Sequence, residues 1–478
     1  MHVVGVLERF QSEVYRKGVL QEKEVKISQK QQNTLLSTKV QMKKALQPVT
    51  RALATRLSHA GCEVCPITGA LTPAIHPSST FERNKDLTYP SGYIYARTSN
   101  PTRNLLETVL ADIETPLHQI PGEALSFSSG VAAAHSIFQA LPNGHVLLAD
   151  DVYHGNRTLL NDVFAEWGLK ITQLDMTDLN SVQTALENND RDNVVLWVES
   201  PSNPLLKITD IEAVGTLATK YDVPFVVDAT MSSCWNIQPI GLGADLVVHS
   251  TTKYYGGHSD LTGGAVIKSS TCKNNALLLF EKSKFHQATV GANPSSFDCW
   301  LTLRGLRSLS ARMDVHSNNG MKVATFLNQH PNVSHVFYPG LMDHPGHDIM
   351  TQQSRTVQEE EQAEQAEKAE QAEGTKGTER TERTESNVKR RNKKRKVNYG
   401  GMISFLVEGT EQNAIDVVSA TEIFKRATSL GGTESLIEHR ASVEGPLTLT
   451  PSNLIRLSVG LEDSNDLIED LNHALEVV

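Results

Sequence analysis

The chain has 478 residues, 39% hydrophobic and 21% charged, with a formal net charge of −10. That composition fits a soluble globular protein of two domains, one large and one smaller. The acidic balance argues against a general nucleic-acid or membrane-surface binder, and no apolar run reaches the ~18–20 residues that cross a bilayer.

In chain order, residues 1–50 are polar, rich in Gln and Lys, and read as an extension. Their start, "MHVVGVLERFQSEVYRKG", lacks an apolar core of signal-peptide length. It carries Glu8 and Glu13, which weakens a mitochondrial presequence reading. The five cysteines, Cys62, Cys65, Cys234, Cys272 and Cys299, form no disulfide framework and point to a reducing compartment, hence the cytoplasm. Cys62 and Cys65 make one CxxC. With only His59 close by and no second ligand pair, it reads as an incidental loop pair rather than a zinc site.

From about residue 110 to 270, short β-branched runs alternate with helix-period segments. "HVLLADD", "NVVLWVES", "PFVVDAT" and "ADLVVHS" read as strands. "LNSVQTALENND" and "DIEAVGTLATKYD" between them read as helices. This alternation predicts an α/β fold with a mostly parallel sheet flanked by helices. Ligands of such sheets bind at the carboxyl ends of the strands. The runs end in Asp150–Asp151, Glu199–Ser200, Asp228–Thr230 and His249–Ser250, which should therefore converge.

Further on, an acidic E-Q-A tract passes into the basic run "KRRNKKRK" at 389–396. With almost no apolar residues it cannot bury a core, and it reads as a surface-loop insertion over 354–398. The basic run has the composition of a nuclear-import signal, although the acidic tract before it favours a solvated segment. The core resumes at "GGMISFLV".

The chemistry gathers around "HSTTKYYGGHSDLTGG", His249 to Gly264. A P-loop needs its glycines before the lysine and a hydroxyl directly after it. Here Ser250, Thr251 and Thr252 precede Lys253, while Gly256 and Gly257 follow it, so that reading fails. A cofactor carrying both an aldehyde and a phosphate remains. Lys253 suits the aldehyde, and Ser250 and Thr252 suit the phosphate. Such a cofactor is pyridoxal phosphate, whose pyridine nitrogen needs a carboxylate. Asp228, ending "FVVD", fits that need, although a strand-end Asp also serves commonly as a helix N-cap.

This stretch resembles the lysine motif of the Cys/Met-metabolism family of pyridoxal-phosphate enzymes. "YIYARTSNPTR", "SFSSGVAA", "DDVYHG", "ESPSNPLLKITDI", "WLTLRGLRSLSARM", "SLGGTESLIEH" and "IRLSVGLED" resemble further family motifs, in order. The likeness covers about 51–478, apart from 354–398. It implies a fold-type I transferase with an N-terminal arm over 51–110. A cofactor-binding large domain over 111–310 and a smaller C-terminal α/β domain over 311–478 complete that expectation.

By resemblance, Lys253 bonds the cofactor and then moves protons, with Tyr153 stacked on the pyridine face. Gly130 and Val131 offer N–H groups to the phosphate beside Ser250 and Thr252. Asn203 meets the phenolic oxygen, and Asp228 the ring nitrogen. Arg456 forks onto the substrate α-carboxylate, helped by the backbone of Ser429. Tyr95 and Arg97 reach the phosphate of a neighbouring subunit, which implies a homodimer or a homotetramer built from two. His258 reads as structural, because Lys253 and Tyr153 already cover the proton transfers.

The implied substrate is an amino acid, a sulfur amino acid or an activated homoserine. The favoured activity is cystathionine γ-synthase-like γ-replacement or elimination, with cystathionine β-lyase or γ-lyase as alternatives. A non-catalytic regulatory or scaffold member is the reading from another class. The chain departs from the family pattern at Thr428, before "SLGG", where γ-acting members usually carry Glu and β-lyases often Tyr. It departs again at Ala229, His154 and Asn156, and it has no cysteine in the tyrosine motif.

Overall fold

The computed structural model describes residues 47–188, 193–359, 397–445 and 450–478. The extension before residue 47, the greater part of the low-complexity tract and the basic run 389–396 lie outside them. Pro48–Val478 forms one compact unit.

Its larger sheet has seven strands: β1 (Glu123–Phe127), β2 (His145–Ala149), β3 (Lys170–Leu174), β4 (Val194–Glu199), β5 (Phe225–Asp228), β6 (Leu246–His249) and β7 (Gly264–Lys268). They lie in the order β1-β7-β6-β5-β4-β2-β3. β7 runs antiparallel to both neighbours, and the other pairings are parallel. Every residue of β4, β5 and β6 is buried. Burial along a whole strand means that both faces are covered, as parallel crossovers require.

The helices that position the site start from sequence-coded caps. In α1 (Pro101–Glu114), Asn100 Oδ1 accepts the N–H groups of Thr102 and Arg103, and Pro101 stands at the first position. That is the physical content of the "NPT" stretch. α2 (Gly130–Phe138) is capped by Ser129, whose Oγ accepts Ala132 N at 3.0 Å. The short α3 (His154–Thr158) follows β2. The two crossover segments form α4 (Leu179–Asn188) and α5 (Ile211–Lys220).

α6 (Leu309–Leu327) joins the two cores. Met313 packs with the large-sheet core, while Val323, Ala324 and Leu327 pack with the small one. The smaller sheet holds β8 (Val333–Phe337), β9 (Met402–Val407), β10 (Lys425–Arg426), β11 (Leu436–His439) and β12 (Leu454–Ser458), in the order β10-β11-β12-β9-β8. α7 (Arg440–Glu444) extends β11, and α8 (Ser464–Leu475) helps to cover the sheet through Leu467 and Leu471.

The low-complexity tract, expected over 354–398, begins on packed residues. Ser354 and Arg355 are buried, with the Arg355 guanidinium 4.2 Å above the Trp235 ring. At the far border Asn398 donates to Asp314 Oδ1 at 2.8 Å. Among the described residues, no helix is long and apolar enough to cross a membrane.

Candidate active site

The carboxyl ends of β4, β5 and β6 lie side by side, with Glu199 in register with Asp228. Lys253 sits in the turn that follows β6. Its Nζ donates to Ser429 Oγ at 2.8 Å, across to the chain leading into β11. Burial pushes its ammonium down to about 8. Arg456 and Arg440 push the same way, and Glu438 opposes them.

Asp228 is buried, and its Oδ1 accepts both the N–H and the hydroxyl of Thr230, at 3.0 and 2.6 Å. Ser250 N donates in turn to Thr230 Oγ1 at 2.9 Å, so the acid and the Lys253 loop share one hydrogen-bond chain. Burial raises the Asp228 carboxyl, offset by Thr230 and by His249. Glu199 is raised well above the usual carboxylate range by burial and by Asp228 beside it. Glu199 Oε2 accepts Tyr153 N at 2.8 Å and so fixes the base of that residue.

The start of α2 forms an anion-binding corner. Ser129 and its hydroxyl take the N–H groups of Ala133 and Ala132. The first-turn donors left among the described residues are Gly130 and Val131, at the positive end of the helix dipole. A Cβ on Gly130 would lie 2.7 Å from Ser250 Cβ, so only glycine lets the helix start close on the β6 end. Ser250 therefore faces this corner. Thr252 does so less freely, because its hydroxyl donates to Gly263 O at 3.2 Å and accepts Gly263 N at 2.9 Å.

Tyr153 stands at the head of α3, 41% exposed, its ring lying over Gly155, where a Cβ would collide with it. Asn203 is buried, and its Oδ1 accepts Arg456 Nη1 at 2.9 Å. Arg456, on β12, also donates from Nη2 to Ser429 O at 3.1 Å and pairs with Glu438 Oε1 at 2.6 Å. Burial lowers its guanidinium to about 10, with Glu438 opposing. Ser429 has a φ of 109°, a left-handed value unusual for a side-chain-bearing residue. That turn lets one residue accept from Lys253 with its hydroxyl and from Arg456 with its carbonyl.

Ten of the twelve expected residues thus surround one region. Among the described residues, no hydrogen bond or ion pair joins Tyr95 or Arg97 to that cluster. Tyr95 is 46% exposed, and Arg97 donates to Ala288 O and lies over the Tyr95 ring. His258 Nδ1 bonds Gly256 O at 2.8 Å, within its own loop. Thr428 is exposed beside Ser429. Residues not singled out from sequence are Glu199, Thr230, Glu438 and Arg440. Glu199 and Thr230 were visible as polar strand ends. Glu438 gave its only local signal as an acid directly after the apolar pair Leu436 and Ile437.

These residues fit pyridoxal phosphate. Two helix-start N–H groups and Ser250 form an anion corner that a Cβ would fill. Asp228 is a buried acid awaiting a countercharge, which a pyridinium nitrogen supplies. Lys253 is a buried amine held at low proton affinity.

The comparisons agree with this fit. A family model described as "Cys/Met metabolism PLP-dependent enzyme" matches residues 54–362 and 383–476. A cystathionine γ-synthase of Mycobacterium leprae is 39% identical over 430 residues, covering 88% of this chain and 96% of that protein. A cystathionine β-lyase of Lactococcus lactis subsp. cremoris is 36% identical over 435 residues, covering 89% of this chain and 99% of that protein. The solved cystathionine γ-synthase of Xanthomonas oryzae pv. oryzae, in complex with aminoacrylate and cysteine, superposes with a TM-score of 0.74. It is 32% identical and covers 90% of this chain and 99% of its own.

Proposed function

The chain belongs to the Cys/Met-metabolism family of pyridoxal-phosphate-dependent enzymes, and from that premise we propose that it acts as a cystathionine γ-synthase. It replaces the γ-substituent of an activated homoserine with the sulfur of cysteine. The observation that carries this reading is the convergence of Arg456, Ser429 and Lys253, which suits an α-amino acid held by its carboxylate beside a proton-transferring amine. The relative named as a synthase, 39% identical, supports γ-replacement over the β-lyase reading, whose relative is 36% identical. A non-catalytic role fits poorly with a lysine held at about 8, a costly device without chemistry to use it.

Each residue then has a task. Arg456 binds the α-carboxylate, kept in place by Asn203 and the Ser429 carbonyl. Lys253 takes the proton from Cα and returns one, and its lowered proton affinity keeps a neutral fraction available near pH 8. Ser429 Oγ holds the Lys253 amine in reach of that carbon. Pyridoxal phosphate, when bound, supplies a ring that accepts the electron pair left at Cα. Asp228 would pair with its ring nitrogen, and Asn203 would meet its phenolic oxygen. Gly130, Val131 and Ser250 would hold its phosphate, with Thr252 beside them. Tyr153 would cover the ring face and exclude water.

Tyr95 and Arg97 serve the phosphate of a second copy, in a homodimer or a tetramer of two dimers. The exposure of Tyr95 supports that role, as do the exposed apolar side chains Ile67 and Leu71 of the 51–110 arm. The five cysteines are free, which supports a reducing, cytoplasmic setting.

The test is a product assay with cystathionine and with O-succinyl-, O-acetyl- and O-phosphohomoserine, each with and without cysteine. Cystathionine formed from an ester and cysteine is the expected result. Pyruvate and homocysteine from cystathionine, with no ester turnover, would replace it with the β-lyase reading.

A further inference from the structure

Glu438 is not used by the roles above, yet it is more than nine-tenths buried and carries the densest charge contacts of the site. β11 and β12 pair antiparallel, and Glu438 lies directly opposite Arg456. One carboxylate oxygen, Oε1, meets Arg456 Nη2 and Arg440 Nη1, each at 2.6 Å. The other, Oε2, is buried with no hydrogen-bond partner. A buried carboxylate with one oxygen shared by two guanidiniums and the other unused is poorly spent if its only task is stability.

Arg440 leads on to Glu444 at 2.9 Å, and Glu444 to Arg157 at 3.3 Å, one turn beyond Tyr153 on α3. The chain of charges therefore runs from Arg456 to the helix that carries Tyr153. Arg456 donates one Nη2 hydrogen to Ser429 O and one Nη1 hydrogen to Asn203, while Glu438 Oε1 pairs with Nη2 by charge, which leaves donors of the fork for a ligand. Asn203 and Ser429 are neutral acceptors. Among the described residues Glu438 is the carboxylate in ion-pair contact with the Arg456 guanidinium, and Arg440 holds the same carboxylate oxygen in place while Arg456 meets a ligand.

We propose that Glu438 is a positioning residue for substrate: braced by Arg440, it fixes the plane of the Arg456 guanidinium so that its fork meets an α-carboxylate beside Lys253. This rests on Arg456 being the carboxylate-binding residue. A fork set at the wrong angle loses bidentate geometry, and a misplacement near 1 Å costs on the order of tenfold or more.

The experiment compares two amines that differ only in the carboxylate, alanine and ethylamine. Each is titrated into the cofactor-loaded protein and followed by visible absorbance. Glu438→Gln is expected to weaken alanine about tenfold more than ethylamine, because any effect passed through Lys253, whose ammonium Glu438 also supports, falls on both amines alike. KM for the amino-acid substrate should rise far more than kcat falls, and Glu438→Asp should recover part of the loss. Should Glu438→Gln fold poorly with two arginines left facing each other, Glu438→Gln/Arg440→Met removes one charge of each sign and should show the same carboxylate-selective loss. Equal weakening of both amines, or of neither, overturns the proposal. Arg456→Ala separates the premise: if it leaves alanine binding intact, the carboxylate role of Arg456 itself falls. If it abolishes alanine binding while Glu438→Gln does not, only the role of Glu438 falls.

Discussion

At the scale of one residue, Lys253 shows what reactivity costs. Its ammonium falls from an ordinary 10.5 to about 8, mainly through burial. The folded pKa lies below the unfolded one, so between about 8 and 10.5 the native state binds fewer protons than the unfolded state. Stability gains from this group as pH rises through that window, and the penalty is fully present below 8. A shift of this size corresponds to roughly 3 kcal/mol. Lys253→Met in the cofactor-free protein should therefore raise the unfolding free energy at pH 7, read from denaturation curves, by about 2 kcal/mol after loss of the bond to Ser429 Oγ. That gain should shrink towards pH 10. The same shift predicts that cofactor capture by wild-type protein, followed by visible absorbance, accelerates up to about pH 8 and then levels off. A capture rate that keeps climbing to pH 10 would mean that Lys253 titrates as an ordinary surface lysine.

At the scale of elements, the site depends on how closely a helix start meets a strand end. Gly130 opens α2 against Ser250 beyond β6, and a Cβ there would stand 2.7 Å from Ser250 Cβ and 3.0 Å from its Oγ. Gly130→Ala must push the two apart. Overpacking of this kind costs about 1–3 kcal/mol, and the displaced N–H groups should weaken cofactor binding more than tenfold. Equilibrium dialysis of pyridoxal phosphate, alongside a denaturation curve, separates the two effects. An unchanged affinity would remove the α2 corner from the phosphate site.

Elements also decide what was legible beforehand. "NVVLWVES" and "ADLVVHS" announced themselves because strands buried on both faces are unbroken apolar runs, and their polar last residues had to meet at one sheet edge. The direction of β7 was not written locally, since "GAVIK" reads the same for either orientation. Glu438 was hidden for a related reason. Its partner Arg456 is opposite only because β11 and β12 pair in one particular register. The hydroxyl of Thr252 looked like a phosphate donor from its place beside Lys253, but the turn back to Gly263 engages it. Sequence order showed which residue types gather, and the chain's return path decided which of their atoms stay free.

At the scale of the whole molecule, the borders of the low-complexity tract meet α6, the helix shared by both cores. Asp314 on α6 accepts Trp235 Nε1 at 2.9 Å and Asn398 Nδ2 at 2.8 Å. Arg355 lies over the Trp235 ring, donates to Trp235 O at 2.9 Å and pairs with Glu359. Two shortened chains should therefore behave differently. Removing 360–396 and bridging the gap with a short Gly-Ser linker spares every one of these contacts, so activity should persist and stability should change by less than about 1 kcal/mol. Removing 354–398 also deletes the cation–π contact and two partly buried hydrogen bonds at the junction, at a cost of about 1–3 kcal/mol. Because α6 carries both cores, that loss should loosen the small sheet against the large one. The Arg456 and Ser429 side of the site would then move relative to Lys253, raising KM as well as lowering the melting temperature. Paired melting curves and kinetics on the two variants decide the matter. If the 360–396 variant already loses activity at unchanged stability, the tract takes part in the enzyme's work and is more than a surface insertion.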